Sequence, residues 1–426
     1  MIVVTAPVES LKGNLRVPGD KSITHRAIML GAISRGKTEI RDYLIADDSL
    51  ATINCFKAMG VNISSLENRL IIEGSGSALK QSGHSLNAGN SGTTARLIMG
   101  ILAGQKFTSR LEGDSSLSLR PMDRVIEPLK KMGASFTGQD NRLPLNITGG
   151  FLEGIQYTTR QASAQVKSAI LLAGLYTQGV TSVSEPYLSR NHTELLLKQF
   201  GAAINLDGHG ITLKGPADLR GSLVRVPGDI SSAAFFMVAA AIIPGSEVNL
   251  LNVGINPTRT GIIDVLKMMG ADITITQERK WGNEAVADIK VCGHGMLKGI
   301  EIAGSLIPRV IDEIPVLSVA AAVATGKTII RDAKELRVKE TDRIATMVRQ
   351  LVKMGATLQE AEDGMIIGGG ARLKGSKVDS EGDHRVAMSL IVAGLIAEGD
   401  TSVYGADALN VSYPRFVSDL RSLVNS

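Results

Sequence analysis

The chain has 426 residues, enough for two to four domains of ordinary size, and 44% hydrophobic residues against 21% charged, a composition that supports a sizeable core and excludes long disorder. Its 46 Lys and Arg against 42 Asp and Glu leave a net charge of +4, too small a bias to single out nucleic acid or an anionic membrane as partner. Two cysteines, Cys55 and Cys292, exclude a disulfide framework and lack the spacing of a zinc site, so the expectation is a reducing compartment, the cytoplasm, with no metal.

The N-terminal MIVVTAPVESLKG reads as a short strand without the basic and apolar regions of a secretion signal. The longest apolar run, Ala233 to Ile243, stops at Pro244-Gly245, short of the ~20 residues that span a bilayer. Further along, one pattern returns six times: a helix rich in small apolar residues, then a glycine, then a β-patterned strand. The glycines are Gly36, Gly104, Gly179, Gly245, Gly326 and Gly399. A second series interleaves with it, in which a helix ends at Met-Gly or Phe-Gly before a strand, at Gly60, Gly133, Gly201, Gly270 and Gly355. Both series fit a unit of about 71 residues, one sixth of the chain, in which left-handed glycines stop the helices and a further strand often closes the unit. The sixth unit, whose second helix covers Phe416 to Val424, has no sequence left for a closing strand, and MIVVT is free to supply it.

LRVPGDKS at Leu15 to Ser22 recurs as VRVPGDIS at Val224 to Ser231. Unit length alone also allows a solenoid, but paired Pro-Gly crossings favour two globules of three units each: an α/β protein with residues 19–227 in one domain and 1–18 plus 228–426 in the other. A ligand site is then expected in the cleft between them.

Several candidate groups stand at or beside starts of the repeated helices. Lys21, Ser22 and Arg26 follow the first glycine turn, a good setting for an anion; the second crossing has Ile230 in place of Lys21, so repeat symmetry does not account for that lysine. Asn90 and Gly92 in NAGNSGTTARL suit either a capped helix or a cradle of N–H groups. Arg120 lies in a polar loop of the kind that is usually solvated, and Ser163, Ala164 and Gln165 precede Lys167 in SAQVKSA. Arg190 and His192 follow, the histidine read as a surface or capping residue. Asp312 and Glu313 open the fifth apolar helix. Arg337, Lys339, Glu340 and Arg343 fit an exposed helix laced with ion pairs, and His384 with Arg385 opens the sixth apolar helix. Together they make a polyanion site in which guanidiniums hold phosphate or carboxylate oxygens while a carboxylate and a lysine move protons.

PGDKSITHRA, NAGNSGTTARL, RPMDR, SAQVKSA, IDEIPVL, RVKETDR and GDHRVAMS, in this order over the whole chain, resemble the enolpyruvyl transferases, and among them the 5-enolpyruvylshikimate-3-phosphate synthases. The resemblance implies an inside-out α/β barrel in each of two domains, each of three βαβαββ units. It implies transfer of the enolpyruvyl group of phosphoenolpyruvate to the 5-hydroxyl of shikimate 3-phosphate, without cofactor or covalent adduct, and a monomer is expected. By the same resemblance, Lys21, Ser22, Arg26, Ser163, Ala164, Gln165, Arg190, Asp312 and Lys339 would hold shikimate 3-phosphate. Lys21, Asn90, Gly92, Arg120, Gln165, Arg343, His384 and Arg385 would surround phosphoenolpyruvate. Asp312 would take the hydroxyl proton, with Glu340 and Lys21 the candidates for protonating the methylene carbon and assisting phosphate departure.

The chain departs from the pattern where some members carry a lysine before T-F-P: it has Val411 before Ser412-Tyr413-Pro414, so that contact is absent or replaced. Ala164 and Leu97 stand where other members have serine and proline, which resembles the class II subgroup and implies weaker inhibition by glyphosate. Two alternatives stay open. One is the sister transferase acting on UDP-N-acetylglucosamine, although Ser22 stands where that enzyme has asparagine and no cysteine lies between Ser115 and Met122. The other is a non-catalytic anion-binding module, which would leave Asp312 and Glu340 without a role.

Overall fold

The structure, a computed structural model, describes residues 1–208 and 210–424; the last two residues of the segment assigned as 228–426 lie outside the described residues. The chain forms two compact units. A central unit comprises Gly19–Val226 with Lys280–Glu284, and a terminal unit comprises Met1–Pro18, Pro227–Arg279 and Ala285–Ser426. Relative to the division drawn from the sequence, Pro227 moves to the terminal unit and the turn at 280–284 moves to the central one. That turn joins two long strands, Asp272–Trp281 and Glu284–Cys292. It is held by the Arg225 guanidinium, 3.8 Å from the Trp281 ring centre, and by a 2.7 Å hydrogen bond between His192 Nδ1 and Glu284 Oε1. Neither contact leaves a pattern along the chain.

Each unit has its own hydrophobic core, centred on three of the repeated helices. These are α1 (Lys21–Ile33), α2 (Gly92–Ala103) and α3 (Ala164–Gly174) in the central unit, and α4 (Ile230–Ile242), α5 (Ile314–Val323) and α6 (His384–Gly394) in the terminal unit. Being apolar on nearly every side, they are stable only when surrounded, and every residue of α4 and of α6 is buried. Their small residues let backbones meet: a Cβ at Gly100 of α2 would fall on the Ala169 carbonyl of α3.

Each core helix leads into a strand of its own small sheet. In the sheet of Leu86–Asn87, Thr108–Glu112, Leu145–Thr148 and Ser135–Thr137, the first pair is parallel and the others antiparallel, which is the βαβαββ order. Strands distant in sequence complete the pattern. Leu223–Arg225 returns to lie parallel to Arg35–Arg41 in the first sheet, and Lys12–Leu15 lies parallel to the strand after α4, Glu247–Gly254. Val3–Thr5 pairs antiparallel with Thr401–Tyr404, Val3 opposite Val403, so the N-terminal strand does take the closing position of the sixth unit. Among the described residues that sheet has three strands where the other five have four.

The glycines divide into two kinds. Those of the second series directly follow the helix cap with φ between +84° and +111°, and they are the left-handed stops expected of them. The first series departs from expectation: Gly36, Gly179, Gly245, Gly326 and Gly399 have positive φ but lie two or four residues beyond the helix cap, while Gly104 is a cap with φ −86°, needed because a Cβ there would fall onto the Tyr176 ring.

Candidate active site

Caps at the core helices set the site residues in place. Asp20 accepts a hydrogen bond from Ile23 N at 2.8 Å, Ser91 from Thr94 N at 3.1 Å, and Asp383 from Arg385 N at 2.8 Å. Each cap fixes a first turn whose N–H groups lack intrahelical partners and whose dipole end is positive. Those turns carry Lys21 with Ser22, Gly92, and His384 with Arg385; Ser163 caps α3 in the same way, ahead of Ala164 and Gln165.

In the central unit the candidates form two linked groups. Arg26 is buried, its Nε donating to Thr193 Oγ1 at 2.6 Å, Nη2 to Ser168 Oγ at 2.8 Å and Nη1 to the Ser22 carbonyl at 2.9 Å. Arg190 Nη1 lies 3.4 Å from Ser22 Oγ, so the Arg190 loop reaches the start of α1. In the second group Arg120 Nη2 donates to Asn90 Oδ1 at 2.6 Å and to Ser116 Oγ at 3.2 Å, while Asn90 Nδ2 donates to Asp114 Oδ2 at 2.7 Å. Gln165 bridges α3 to α2, accepting from Arg96 Nη1 at 3.1 Å and donating to Thr93 Oγ1 at 3.2 Å. Gly92 keeps this surface low, since a Cβ there would stand 2.8 Å from Arg96 Nη1 and 3.5 Å from Arg120 Nη1. Lys21 Nζ is 3.1 Å from Asp48 Oδ2. Behind it His25 is fully buried, with Nδ1 2.7 Å from Thr52 Oγ1; burial, with Lys21 and Arg26 adding repulsion, holds its pKa well below the usual histidine value.

In the terminal unit one guanidinium organises the candidates. Arg343 is buried and donates to Asp383 Oδ2 at 2.7 Å, Asp312 Oδ1 at 3.3 Å and Glu340 Oε2 at 2.6 Å. Its burial opposes charge, but the carboxylates of Asp383, Glu340 and Asp312 outweigh that and raise its pKa. Around Asp312 stand three cations, Arg343, Lys339 Nζ at 3.9 Å and Arg385 Nη2 at 3.7 Å, and Arg385 Nη1 donates to the Asp312 carbonyl at 3.1 Å. Asp312 is thus nearly enclosed among cations, with a second carboxylate, Glu340, on the same arginine.

The structure therefore groups the candidates by unit: Lys21, Ser22, Arg26, Asn90, Gly92, Arg120, Ser163, Ala164, Gln165 and Arg190 in the central one, and Asp312, Lys339, Glu340, Arg343, His384 and Arg385 in the terminal one. Three local expectations fail. Arg120, expected in solvated loop, is 7% exposed, and His192, expected at the surface, is 2% exposed. Arg343, expected on an exposed helix running back through Arg337, is 1% exposed, because Lys334–Val338 is a separate 3-10 turn and the helix begins at Arg343 itself, capped by Asp342. Asp48, Arg96 and Asp383 were missed as partners. Of these only Asp383, a cap residue inside GDHRVAMS, carried a usable signal. Val411, at the position of a lysine in some members of the resembled family, ends a 3-10 turn, and Tyr413 two residues on is buried with its hydroxyl donating to Asp419 Oδ2 at 2.9 Å.

Among the described residues no helix is long and apolar enough to cross a membrane, and no three His, Cys, Asp or Glu side chains gather as a metal site.

Comparison with known proteins places this arrangement among relatives. The model of the EPSP synthase (3-phosphoshikimate 1-carboxyvinyltransferase) family matches residues 5–420. A 3-phosphoshikimate 1-carboxyvinyltransferase of Thermoanaerobacter sp. (strain X514) is 56% identical over 407 residues, covering 95% of this chain and 96% of the relative. One from Desulforamulus reducens is 53% identical over 428 residues and all of both chains. Among solved structures, EPSP synthase from Acinetobacter baumannii superposes with a TM-score of 0.88 at 46% identity, over 99% of this chain and 98% of that one.

Proposed function

The chain belongs to the EPSP synthase (3-phosphoshikimate 1-carboxyvinyltransferase) family, and from that premise we propose how its residues carry the reaction. It transfers the enolpyruvyl group of phosphoenolpyruvate to shikimate 3-phosphate, a step of the shikimate pathway and of aromatic amino acid synthesis. The observation that carries the assignment of roles is Asp312 set among Lys339, Arg343 and Arg385, with Glu340 on the same guanidinium.

Shikimate 3-phosphate is held by Ser22, Arg26, Ser163, Ala164, Gln165, Arg190 and Lys339, with Asp312 on its 5-hydroxyl. Phosphoenolpyruvate is held by Lys21, Asn90, Gly92, Arg120, Gln165, Arg343, His384 and Arg385. A secondary hydroxyl is a poor nucleophile until a base accepts its proton, and Asp312 is that base. The hydroxyl oxygen bonds to C2 of phosphoenolpyruvate while a proton from Glu340 or Lys21 converts the methylene at C3 to a methyl group. The C2–O bond to phosphate then breaks as the methyl group returns a proton, leaving the enol ether and inorganic phosphate. The guanidiniums offset the phosphate and carboxylate charge through both steps. The enzyme works as a monomer in the cytoplasm, with no cofactor.

Phosphate release from phosphoenolpyruvate, run with shikimate 3-phosphate, with UDP-N-acetylglucosamine and with no acceptor, tests the reading. Release with shikimate 3-phosphate alone is the expected result. Release with the nucleotide sugar alone would transfer the assignment to the sister enzyme, and silence with both would leave an anion-binding module.

A further inference from the structure

Beneath the residues assigned to shikimate 3-phosphate lies a buried ionic group to which the reaction gives no task. Lys167 Nζ, in the second turn of α3, is 2.8 Å from Glu185 Oε2 and 2.8 Å from Glu194 Oε1, and all three side chains are at most 1% exposed. Two carboxylates and an ammonium so deeply buried carry a large desolvation cost, and replacing such a group by packed apolar side chains is often neutral or favourable for stability. Stability alone is therefore a poor explanation of its presence.

Its bonds lead to the ligand-facing segments. Glu185 Oε1 accepts from the Ser163 backbone N–H at 3.0 Å, which fixes the cap of α3 ahead of Ala164 and Gln165. The same carboxylate accepts from Ser189 N at 3.2 Å and from Ser189 Oγ at 2.7 and 2.8 Å, which fixes the residue before Arg190. Lys167 also donates to the Ser189 carbonyl at 3.3 Å. Through Glu194 it holds the helix His192–Gln199, whose Thr193 in turn accepts from Arg26 Nε at 2.6 Å and lies 2.6 Å from Ser168 Oγ. One carboxylate thus ties two separate loops, each ending in a proposed contact to the acceptor.

We propose that Glu185, with Lys167 and Glu194, is a positioning device for the acceptor: it sets Ser163 and Arg190 at the spacing that the phosphorylated ring of the acceptor requires and so governs affinity for shikimate 3-phosphate rather than the chemical step. The proposal rests on the functional reading above, and wild-type enzyme separates the two: if wild type neither binds nor turns over shikimate 3-phosphate, the reading itself fails.

With wild type active, the test is Glu185→Gln and Ser189→Ala in the full chain, with KM for each substrate measured at saturation of the other, kcat, direct binding of shikimate 3-phosphate by calorimetry, and the melting temperature. Glu185→Gln removes the charge and turns one acceptor into a donor among donors, so KM and Kd for shikimate 3-phosphate are expected to rise by on the order of tenfold or more. The KM for phosphoenolpyruvate and kcat should stay within about threefold. Ser189→Ala, which deletes one hydroxyl and threatens folding less, should shift the same two constants by roughly two- to fivefold. Glu185→Asp, which keeps the charge, should recover part of the loss. Unchanged affinity for shikimate 3-phosphate in both variants, with only a lower melting temperature, would overturn the proposal and leave the group a structural one. If Glu185→Gln does not fold, Ser189→Ala decides alone.

Discussion

The two units start from the same repeat, yet they surround their cations differently. In the central unit Arg26 donates to Thr193, Ser168 and the Ser22 carbonyl, and Arg120 to Asn90 and Ser116. In the terminal unit Arg343 pairs with the carboxylates of Asp383, Asp312 and Glu340. Neutral oxygens orient a guanidinium, whereas the proton chemistry proposed above draws on carboxylates that a guanidinium holds. The repeat supplied the scaffold twice; on the proposed function both copies hold substrate, and the carboxylates gathered on Arg343 add proton chemistry to the terminal one.

The contrast can be broken at several points. Lys21 is a central-unit residue assigned to phosphoenolpyruvate and to assisting departure of phosphate, so Lys21→Ala should cost the most, with kcat/KM for phosphoenolpyruvate falling by on the order of 10³ in steady-state assays. Glu340→Gln keeps the shape and the hydrogen bond to Arg343 but cannot exchange a proton, and kcat should fall by about 10² while binding of shikimate 3-phosphate is retained. A fall in both would place Glu340 with the binding groups and erase the division. Arg26→Lys preserves charge but loses the planar fork that reaches Thr193, Ser168 and Ser22 together, and KM for shikimate 3-phosphate should rise about tenfold with little change in kcat.

Stability gives two smaller tests. His25 is buried with its pKa held below the usual value of about 6.5, so the unfolded chain takes up a proton that the folded protein refuses. Stability is then full above about pH 6.5 and declines below it by up to about 1.4 kcal/mol per pH unit until the folded pKa is reached. His25→Asn should flatten that decline in urea-melt midpoints between pH 6.5 and 5; an unchanged slope would assign it to other groups. Gly104→Ala should cost about 1–3 kcal/mol by pressing on Tyr176, whereas Gly399→Ala, with open space and φ of +89°, should cost about 1 kcal/mol in thermal melts.

Much of this was legible in the sequence, because glycines and apolar runs recur with the period of the fold: the six core helices, the strands after them and the return of Val3–Thr5 to the last sheet all follow from that rhythm. Candidate site residues were legible where they sit in helix-start motifs, as Lys21, Gly92 and Arg385 do. Illegible were partners brought together from distant segments. Nothing near Lys21 names Asp48, and nothing near Lys167 names Glu185 or Glu194, since an ion pair closed by folding leaves no spacing to read. The burial of Arg120 and Arg343 was hidden for the same reason: in sequence an arginine beside acids looks solvated, and only packing shows it enclosed. The turn at 280–284 was hidden differently, by the unusual length of the two strands that carry it.

The division of roles is tested most directly by Asp312→Asn, with single-turnover phosphate release and calorimetric binding of shikimate 3-phosphate measured on the same preparation. Loss of the proton acceptor should slow release by at least about 10² while Kd for shikimate 3-phosphate changes by no more than about tenfold. Release at the wild-type rate, or a collapse of binding that accounts for the whole loss of turnover, would contradict the assignment of proton chemistry to the terminal unit.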